Sequence, residues 1–400
     1  MMKCSPIRRL CMGMVMIAAM AAGQPASAAE KAILHVAHEN GAFAFELYQT
    51  LRAGDGNLFF SPYSISTAFA MIYGGARGET AQQIGKTLHF DLPQAEFHAA
   101  FGKLQAHVAA LSKGDAVTLA LANSLWLNPS FTLADAFTAL VEQSYGANLF
   151  FVDFMKQPEE SRAQINAWVA EQTRQKIAEL LKSGDVNSDT RVVLANAIYF
   201  KANWRDAFDE KQTWNAPFWI SKDEQIETPT MQQIGAFEYG ETDDMQILAL
   251  PYAGESVYMV ILLPRAPDGL ADIEAQMGMK RVMEWLRLTE KQKVAVALPK
   301  FALRFHCDIL ETMEAMGFTA ANDFSGMAKE PLTLSKVIHE AMVDVNEQGS
   351  EAAAATAAVM SRSMARHPEF LANHPFAFFM IDVKTDSILF VGRVVNPAKS

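Results

Sequence analysis

The strongest constraint on the fold is that helical and strand patterns alternate along almost the whole chain. Residues 61–75 read as an amphipathic helix, in which Ser61 is the N-cap, Pro62 takes the first helical position and a glycine pair ends the helix. Residues 161–185 give a second amphipathic pattern, whose apolar face runs from Ile165 to Leu181. Both patterns predict helices that bury one face.

Strand-like apolar runs lie between and after these helices. They cover residues 117–128, 190–204, 245–264 and 292–305, and two last runs, 376–383 and 387–395, flank a short polar segment as in a hairpin. The length of 400 residues would suit two domains. However, no internal repeat and no linker rich in glycine, proline or serine marks a boundary.

The N-terminal segment has the composition of an export signal. It has a positively charged start, a short apolar run from Leu10 to Ala22 and the small residues Ala26-Ser27-Ala28. The apolar run is too short to span a bilayer, although an uncleaved anchor is the alternative. We therefore expect residues 1–28 to be a signal peptide, and residues 29–400 to be a single domain that is secreted or periplasmic.

The cysteine count limits the disulfides that the chain can form, and its charge limits the partners that it can bind. Removal of residues 1–28 would leave Cys307 as the one cysteine, so no internal disulfide is expected. The net charge is −11 for the whole chain, and −14 for residues 29–400, which hold 31 basic and 45 acidic residues. No stretch concentrates lysine or arginine, which argues against nucleic acid as a partner.

A search for catalytic and metal motifs finds no candidate. The chain has no G-x-S-x-G elbow, no H-E-x-x-H pair and no Walker lysine. The four histidines His35, His38, His367 and His374 have no acidic or cysteine companion at a familiar ligand spacing. We therefore expect no enzyme activity, no catalytic residue, no metal and no cofactor.

The segment "VNEQGSEAAAATAAVMSRSM", residues 345–364, has no groups that could hold a ligand. Locally it reads as a helix, because Ser350 is a good N-cap and alanine is the best helix former. The run of alanines after Ser350 has a second interpretation, which depends on a resemblance elsewhere in the chain.

Four segments together resemble the signature segments of the serpins. They are "FFSPYSISTAFAMIYGGARGETAQQI", "NAIYFKANW", "LSKVIHEAMVDVNEQGSEAAAATAAVM" and "HPFAFFMIDVKTDSILFVGRVVNP", and they occur in the family's order. The similarity runs from about residue 30 to the end and is closest to a bacterial secreted member of inhibitory type. It implies a monomeric α/β (α+β mixed) domain with three β-sheets, eight or nine helices and an exposed reactive-centre loop at about residues 347–368.

The resemblance also implies a mechanism for the alanine run. In inhibitory serpins a serine protease attacks the loop and forms an ester, and the cut loop then enters the main sheet as a new strand and traps the acyl-enzyme. The implied hinge comprises Glu347, Gly349, Ser350, Glu351, Ala352, Ala353, Ala354, Ala355 and Thr356. The alternatives are a non-inhibitory serpin-like binding or chaperone-type protein, and a cross-class inhibitor of cysteine proteases.

Strand alternation divides the hinge into two faces. Ser350, Ala352, Ala354, Thr356, Ala358 and Met360 would point one way, and Glu351, Ala353, Ala355, Ala357, Val359 and Ser361 the other. The first set is small or neutral and suits the core, whereas Glu351 falls on the outer set. Gly349 can take unusual backbone angles at the hinge.

The resemblance implies further site residues. Ser61, Ser64, Asn196 and His339 match the polar cluster where the sheet opens, although helix capping and core hydrogen bonding are the alternative role. Trp204 matches the aromatic residue beneath the site of first insertion, and Lys300 matches a base that forms an exposed pair with Glu347.

The position of the cut stays open between three residues. Counting from Glu347 favours the bond after Ser363, counting back from the C-terminal segment favours Met364, and an earlier cut would use Arg362. Arginine fills a trypsin-type pocket, so a trypsin-like target is favoured, with elastase- or subtilisin-like proteases as alternatives. Arg362 could otherwise be a solvated loop charge.

Overall fold

The computed structural model describes residues 27–112, 117–146, 148–319, 323–350 and 367–399. Within these ranges the helices are α1 Ala28–Leu51, α2 Pro62–Tyr73, α3 Gly78–Thr87, α4 Gln94–Leu111, α5 Asp135–Tyr145, α6 Pro158–Gln172, α7 Leu270–Gln276, α8 Met279–Leu286 and α9 Ile309–Ala315. No helix of the described ranges is both long enough and apolar enough to cross a membrane.

The strands are β1 Leu58–Phe60, β2 Val117–Leu127, β3 Asn148–Phe151, β4 Val192–Asn203, β5 Trp214–Trp219, β6 Gln225–Glu241, β7 Met245–Pro251, β8 Val257–Pro264, β9 Glu290–Pro299, β10 Phe301–Asp308, β11 Lys336–Asn346, β12 Gly349–Ser350, β13 Glu369–Leu371, β14 Phe376–Asp382 and β15 Ser387–Val394. The strands that the apolar runs predict are present, and the last two pair as the expected antiparallel hairpin.

Six of these strands form one sheet, in the order β10-β11-β12-β4-β2-β3. Its neighbours are antiparallel except for β2 with β3 and for a direct pairing of β4 with β11. Helix α6 packs on the sheet through contacts with β2 and β4. The sheet contains the two-residue strand β12 between β4 and β11.

The other nine strands form one hydrogen-bonded network that branches at β6. Residues 238–241 of β6 pair with β7 in the series β1-β15-β14-β8-β7, whereas residues 225–230 pair with β5 and residues 230–239 pair with β9. The nine-stranded network can be counted as two sheets that share β6. Together with the six-stranded sheet they make the three β-sheets that the resemblance implies. The nine helices and the mixed sheets confirm the expected fold class.

Helix α2 lies in the centre of the core, and all twelve of its residues are buried. Its start agrees with the prediction, since the Ser61 hydroxyl accepts a hydrogen bond from the Ser64 N–H at 3.1 Å and Pro62 follows the cap. Its end lies at Tyr73, directly before the two glycines. The capping therefore fixes Ser61 and Ser64 at the buried end of a rigid helix.

Helix α6 ends earlier than the sequence pattern predicts. It stops at Gln172, and Arg174 and Gln175 have positive φ angles, so the chain turns instead of continuing the helix. The Asn166 side chain then bonds both backbone groups of Leu181, at 2.8 and 2.9 Å. The apolar residues up to Leu181 are thus buried by a turn that Asn166 holds.

Helix α1 begins within the predicted cleavage motif. Ser27 is its N-cap, and Ser27 and Glu30 form a reciprocal capping box. Residues 1–26 lie outside the described ranges, so the predicted signal peptide and its boundary stay a prediction.

Candidate functional site in the six-stranded sheet

The candidate site is the place where β12 enters the sheet between β4 and β11. Ser350 lies opposite Val345 of β11 on one side and Ala202 of β4 on the other, and both pairings are antiparallel. Ser350, which the local pattern suggests as a helix N-cap, is therefore a strand residue. The start of the predicted hinge already occupies a position between the two central strands.

Beyond β12 the same two strands pair with each other directly. Residues Lys336–Met342 of β11 run parallel to Val193–Tyr199 of β4, in register over seven residues. The parallel pair stands among mostly antiparallel neighbours, and parallel pairing is slightly less stable per residue. At one end of the sheet, the two residues of β12 thus separate β4 from β11. Further along, β4 and β11 are joined by the less stable parallel pairing.

Gly349 is required by the close approach of the strands. Its φ is +147°, and a Cβ built on it would lie 2.0 Å from the carbonyl oxygen of Ala202. Any side chain at this position would force β12 away from β4. The sequence prediction that Gly349 needs unusual backbone angles agrees with this geometry.

Ser350 is fully buried and has a specific partner. Its hydroxyl lies 2.9 Å from the hydroxyl of Tyr252, which stacks on Trp204 with ring centroids 4.5 Å apart. The Trp204 indole N–H donates to the carbonyl of Asn346 at 3.0 Å, and its backbone N–H donates to Gln348 at 2.8 Å. Trp204 thus lies directly beneath the entry point, and Tyr252 is a partner that sequence reasoning missed.

The base of the hinge is fixed by Glu347. Its carboxylate lies 2.8 Å from the Lys300 ammonium and accepts a second hydrogen bond from the Thr213 hydroxyl at 2.8 Å. The pair is less exposed than predicted, because the Glu347 side chain is only 7% exposed. Burial raises the pKa of Glu347, but the hydrogen bonds from Lys300, the backbone and Thr213 outweigh burial and lower the pKa overall.

Below the entry point, the predicted polar cluster comes together across β4, β11 and α2. The Asn196 amide donates to the Ser64 hydroxyl at 2.8 Å and to the Ser64 carbonyl at 2.9 Å, and His339 Nδ1 bonds Asn196 Oδ1. The Ser61 hydroxyl donates to the Leu389 carbonyl at 2.7 Å. The four predicted residues therefore form one buried network.

Asn123 of β2 is a fifth member that the sequence did not suggest. It lies opposite Asn196 in the sheet register, and its Oδ1 accepts a hydrogen bond from the Asn196 amide. Asn123 could be found only from this pairing, because nothing in its own neighbourhood separates it from an ordinary strand residue.

The cluster requires one protonation state of His339. The Ser61 backbone N–H donates to His339 Nε2 at 3.3 Å, so Nε2 is the acceptor and Nδ1 carries the proton that it donates to Asn196. Burial, with a smaller contribution from the charge of His306, lowers the pKa of His339 to about 3. The imidazole is therefore neutral at physiological pH.

The remaining hinge positions and the three bond candidates lie outside the described residues. They are Glu351, Ala352, Ala353, Ala354, Ala355 and Thr356 in the hinge, and Arg362, Ser363 and Met364 at the predicted cut. Their roles stay predictions.

Comparison with known proteins places the chain in one group of inhibitors. A family model described as Serpin (serine protease inhibitor) matches residues 38–397. The leukocyte elastase inhibitor of Bos taurus is 42% identical over 90% of this chain and 98% of its own length, and Serpin B6 of Macaca fascicularis is 40% identical over 90% and 99%. The crystal structure of uncleaved ovalbumin superposes with a TM-score of 0.83 at 28% identity, covering 90% of this chain and 100% of ovalbumin.

The expectation that the protein is secreted or periplasmic is wrong. Its curated relatives, the leukocyte elastase inhibitors and Serpin B6, are intracellular members that lack signal peptides. The expectation depended on a short stretch before the matched span of residues 38–397. Part of that stretch has another explanation, because Ser27 in the small-residue motif caps α1.

We expect the native state to lose stability as pH falls from about 6.5 towards 3. His339 has a pKa of about 3 when folded and its ordinary value of 6.5 when unfolded. The unfolded chain therefore binds more protons throughout this window, and stability decreases by a few kcal/mol. Urea unfolding at several pH values measures the effect.

The matched control is His339→Gln, whose amide can donate to Asn196 and accept from Ser61 without titrating. The difference in unfolding free energy between parent and variant should narrow or reverse in acid. Parallel pH profiles for the two proteins would contradict the assignment to His339.

Proposed function

Because the chain belongs to the serpin family of serine protease inhibitors, we propose that it traps its target as a suicide substrate by inserting its cleaved loop between β4 and β11. The protein is a protease inhibitor and not an enzyme. The main support for the proposal is β12, whose two residues already pair antiparallel with both β4 and β11.

Extension of the β12 register supports insertion along the whole parallel pair. Continued residue by residue, the register would put residue 353 between Met342 and Tyr199, and residue 359 between Lys336 and Val193. Residues 353–359 therefore match the seven-residue parallel ladder in length and in phase. They are mainly alanine, and alanine loses almost no side-chain entropy on burial.

The same register gives Thr356 a specific role. It would lie between Asn196 and His339, which are opposite each other in the parallel ladder and bonded through their side chains. A new strand must separate this pair and leave two buried polar groups without their partner, at about 1–3 kcal/mol each. Thr356 is the polar residue of the run that reaches this position, and its hydroxyl can both donate and accept.

The energetic gain comes from the backbone. Each inserted residue would replace one parallel contact between β4 and β11 by antiparallel contacts on both sides. At about 1 kcal/mol for each additional net hydrogen bond, seven residues contribute several kcal/mol. The uncleaved chain cannot form all of these hydrogen bonds, since the two ends of its loop are anchored at β12 and β13.

The chemical step needs no catalytic group from this chain. The protease serine attacks the scissile carbonyl, the peptide bond breaks, and the new N-terminus leaves as the amine while the upstream half stays attached as an ester. The cut frees the upstream half from β13. Insertion then competes with attack of water on the ester, so any change that slows insertion releases active protease.

We infer that trypsin-like proteases recognise the loop through Arg362 and cut after it, because a basic residue fits an acidic specificity pocket. The matched protein of Bos taurus is named a leukocyte elastase inhibitor, which supports a second use of the loop through Ser363 or Met364. The three residues are adjacent, so cutting after any of them frees the same inserting segment.

We expect Ser350→Arg to turn the inhibitor into a substrate. Ser350 is fully buried against Tyr252, so an arginine there would put a charge into the sheet at a cost of several kcal/mol, or expel β12. The stoichiometry of inhibition should rise far above one, with cleaved loop and free protease as products. Glu351→Arg is the control, because alternation predicts an outward side chain there. Equal inhibition by both variants would show that the assigned alternation is wrong or that insertion is not the mechanism.

Thr356→Val tests the polar cluster separately. Valine keeps the shape of threonine but leaves Asn196 and His339 without a partner in the inserted state, so insertion should slow and the stoichiometry of inhibition should rise several-fold. Ala355→Val is the comparison, because it adds volume on the opposite face and removes no hydrogen-bonding group. If Ala355→Val raises the stoichiometry as much and Thr356→Val does not, the register between β4 and β11 is wrong.

Mass spectrometry of the adducts identifies the bond and the target class. With trypsin, the parent should give an SDS-resistant adduct through Arg362, and Arg362→Ala should abolish it while an elastase adduct survives. Trypsin that cuts the loop and stays active would refute the trypsin assignment. Failure of every serine protease to form an adduct would favour a cysteine protease target or a non-inhibitory role.

A further inference from the structure

We propose that His35, Glu39 and Asp91 form a binding site for a first-row divalent transition metal of the Zn²⁺ type. One ligand atom from each of these three side chains lies within 4.8 Å of the other two. Sequence reasoning expected no metal here, because Asp91 is 56 residues away from His35. The fold brings it to α1 from the segment that follows α3.

The side chains already face a common point. His35 Nε2 lies 2.8 and 2.9 Å from the two oxygens of Asp91. Glu39 follows His35 by four residues in α1, which puts both on one helix face. Tetrahedral Zn²⁺ with bonds of about 2.0–2.2 Å holds its ligand atoms about 3.3–3.6 Å apart. Small side-chain rotations would therefore complete the coordination, with the metal replacing the proton between His35 and Asp91.

A second imidazole would orient the Glu39 ligand. His89 Nδ1 lies 3.5 Å from Glu39, and its Nε2 lies 2.9 Å from Glu46. Outer partners of this kind hold a ligating carboxylate in place. Within the described part of the chain, none of Glu39, Glu46 and Asp91 has an ion pair with lysine or arginine. Among the described residues these carboxylates thus pair with imidazoles alone, and a metal ion would balance their charge.

The ligand set favours one class of ion. Imidazole nitrogen with carboxylate oxygen suits Zn²⁺ and its first-row neighbours. Ca²⁺ takes six to eight oxygen ligands, more than this cluster offers, and Mg²⁺ prefers oxygen as well. Three protein ligands leave a position for water. The site is accessible, since the side chains of His35 and Asp91 are 38% and 52% exposed.

Binding would join α1 to the segment after α3 and stabilise the folded chain by mass action. Metal affinity should fall in acid, because the His35 nitrogen must lose its proton to bind. This site lies outside the loop-insertion machinery, so the proposal does not depend on inhibition.

Isothermal titration of the full chain with Zn²⁺ is the test, with Co²⁺ absorption as a check on coordination. We expect one Zn²⁺ per chain, and at least tenfold weaker binding in both His35→Ala and Asp91→Ala. His38→Ala is the matched control, because His38 is an exposed histidine of the same helix outside the cluster. Its affinity should equal that of the parent. Thermal melting without metal checks that each variant folds.

Four results would overturn the proposal. Two concern the parent protein: the absence of Zn²⁺ binding, and binding of Ca²⁺ or Mg²⁺ as tight as that of Zn²⁺. The other two concern the variants: a loss of affinity in His38→Ala as large as in His35→Ala, and Zn²⁺ binding that neither His35→Ala nor Asp91→Ala weakens.

Discussion

The parallel pairing of β4 with β11 is the interaction on which the rest of the site depends. It closes the centre of the six-stranded sheet over seven residues, while β12 keeps the same two strands apart at one end. A strand that continued β12 would pair antiparallel with both neighbours and would satisfy more backbone groups than the parallel ladder does. The native fold therefore holds an unused pairing position in its own core.

In the proposed mechanism, two groups of side chains would control access to that position. At the entry, Gly349 allows the close approach to β4, and Tyr252 and Trp204 form the buried surface on which Ser350 lies. Further down, Asn196 and His339 bond each other across the parallel pair. Asn196 also donates to Ser64 of α2, and the Ser61 N–H donates to His339. β12 separates the two strands at the entry, and paired polar groups join them further down. In the proposed mechanism this arrangement would let the sheet accept a strand without opening spontaneously.

Most of the fold could be predicted because its signals are local. The cap at Ser61, the strand of residues 117–127 and the C-terminal hairpin follow from periodicity and turn residues within each segment. The end of α6 could not, since it depends on the Asn166 side chain reaching Leu181. The local helical pattern at Ser350 was misleading for the same reason, because the neighbouring strands decide its conformation.

The site was only partly predictable. The resemblance supplied Asn196, His339 and Glu347, but Asn123 and Tyr252 become partners only through strand register and packing. Asp91, the hydrogen-bond partner of His35, was hidden by sequence distance. Residues that meet across elements leave no spacing pattern in the sequence, and this is why the network around each predicted residue had to come from the structure.

The most direct test is the melting temperature of the protein before and after a single cut between residues 357 and 364, made by a protease that it does not trap. Insertion between β4 and β11 predicts a marked rise, since the cut frees the segment from residue 351 up to the cut to pair with both strands, whereas a nick stabilises few proteins. An unchanged or lowered melting temperature would contradict the account.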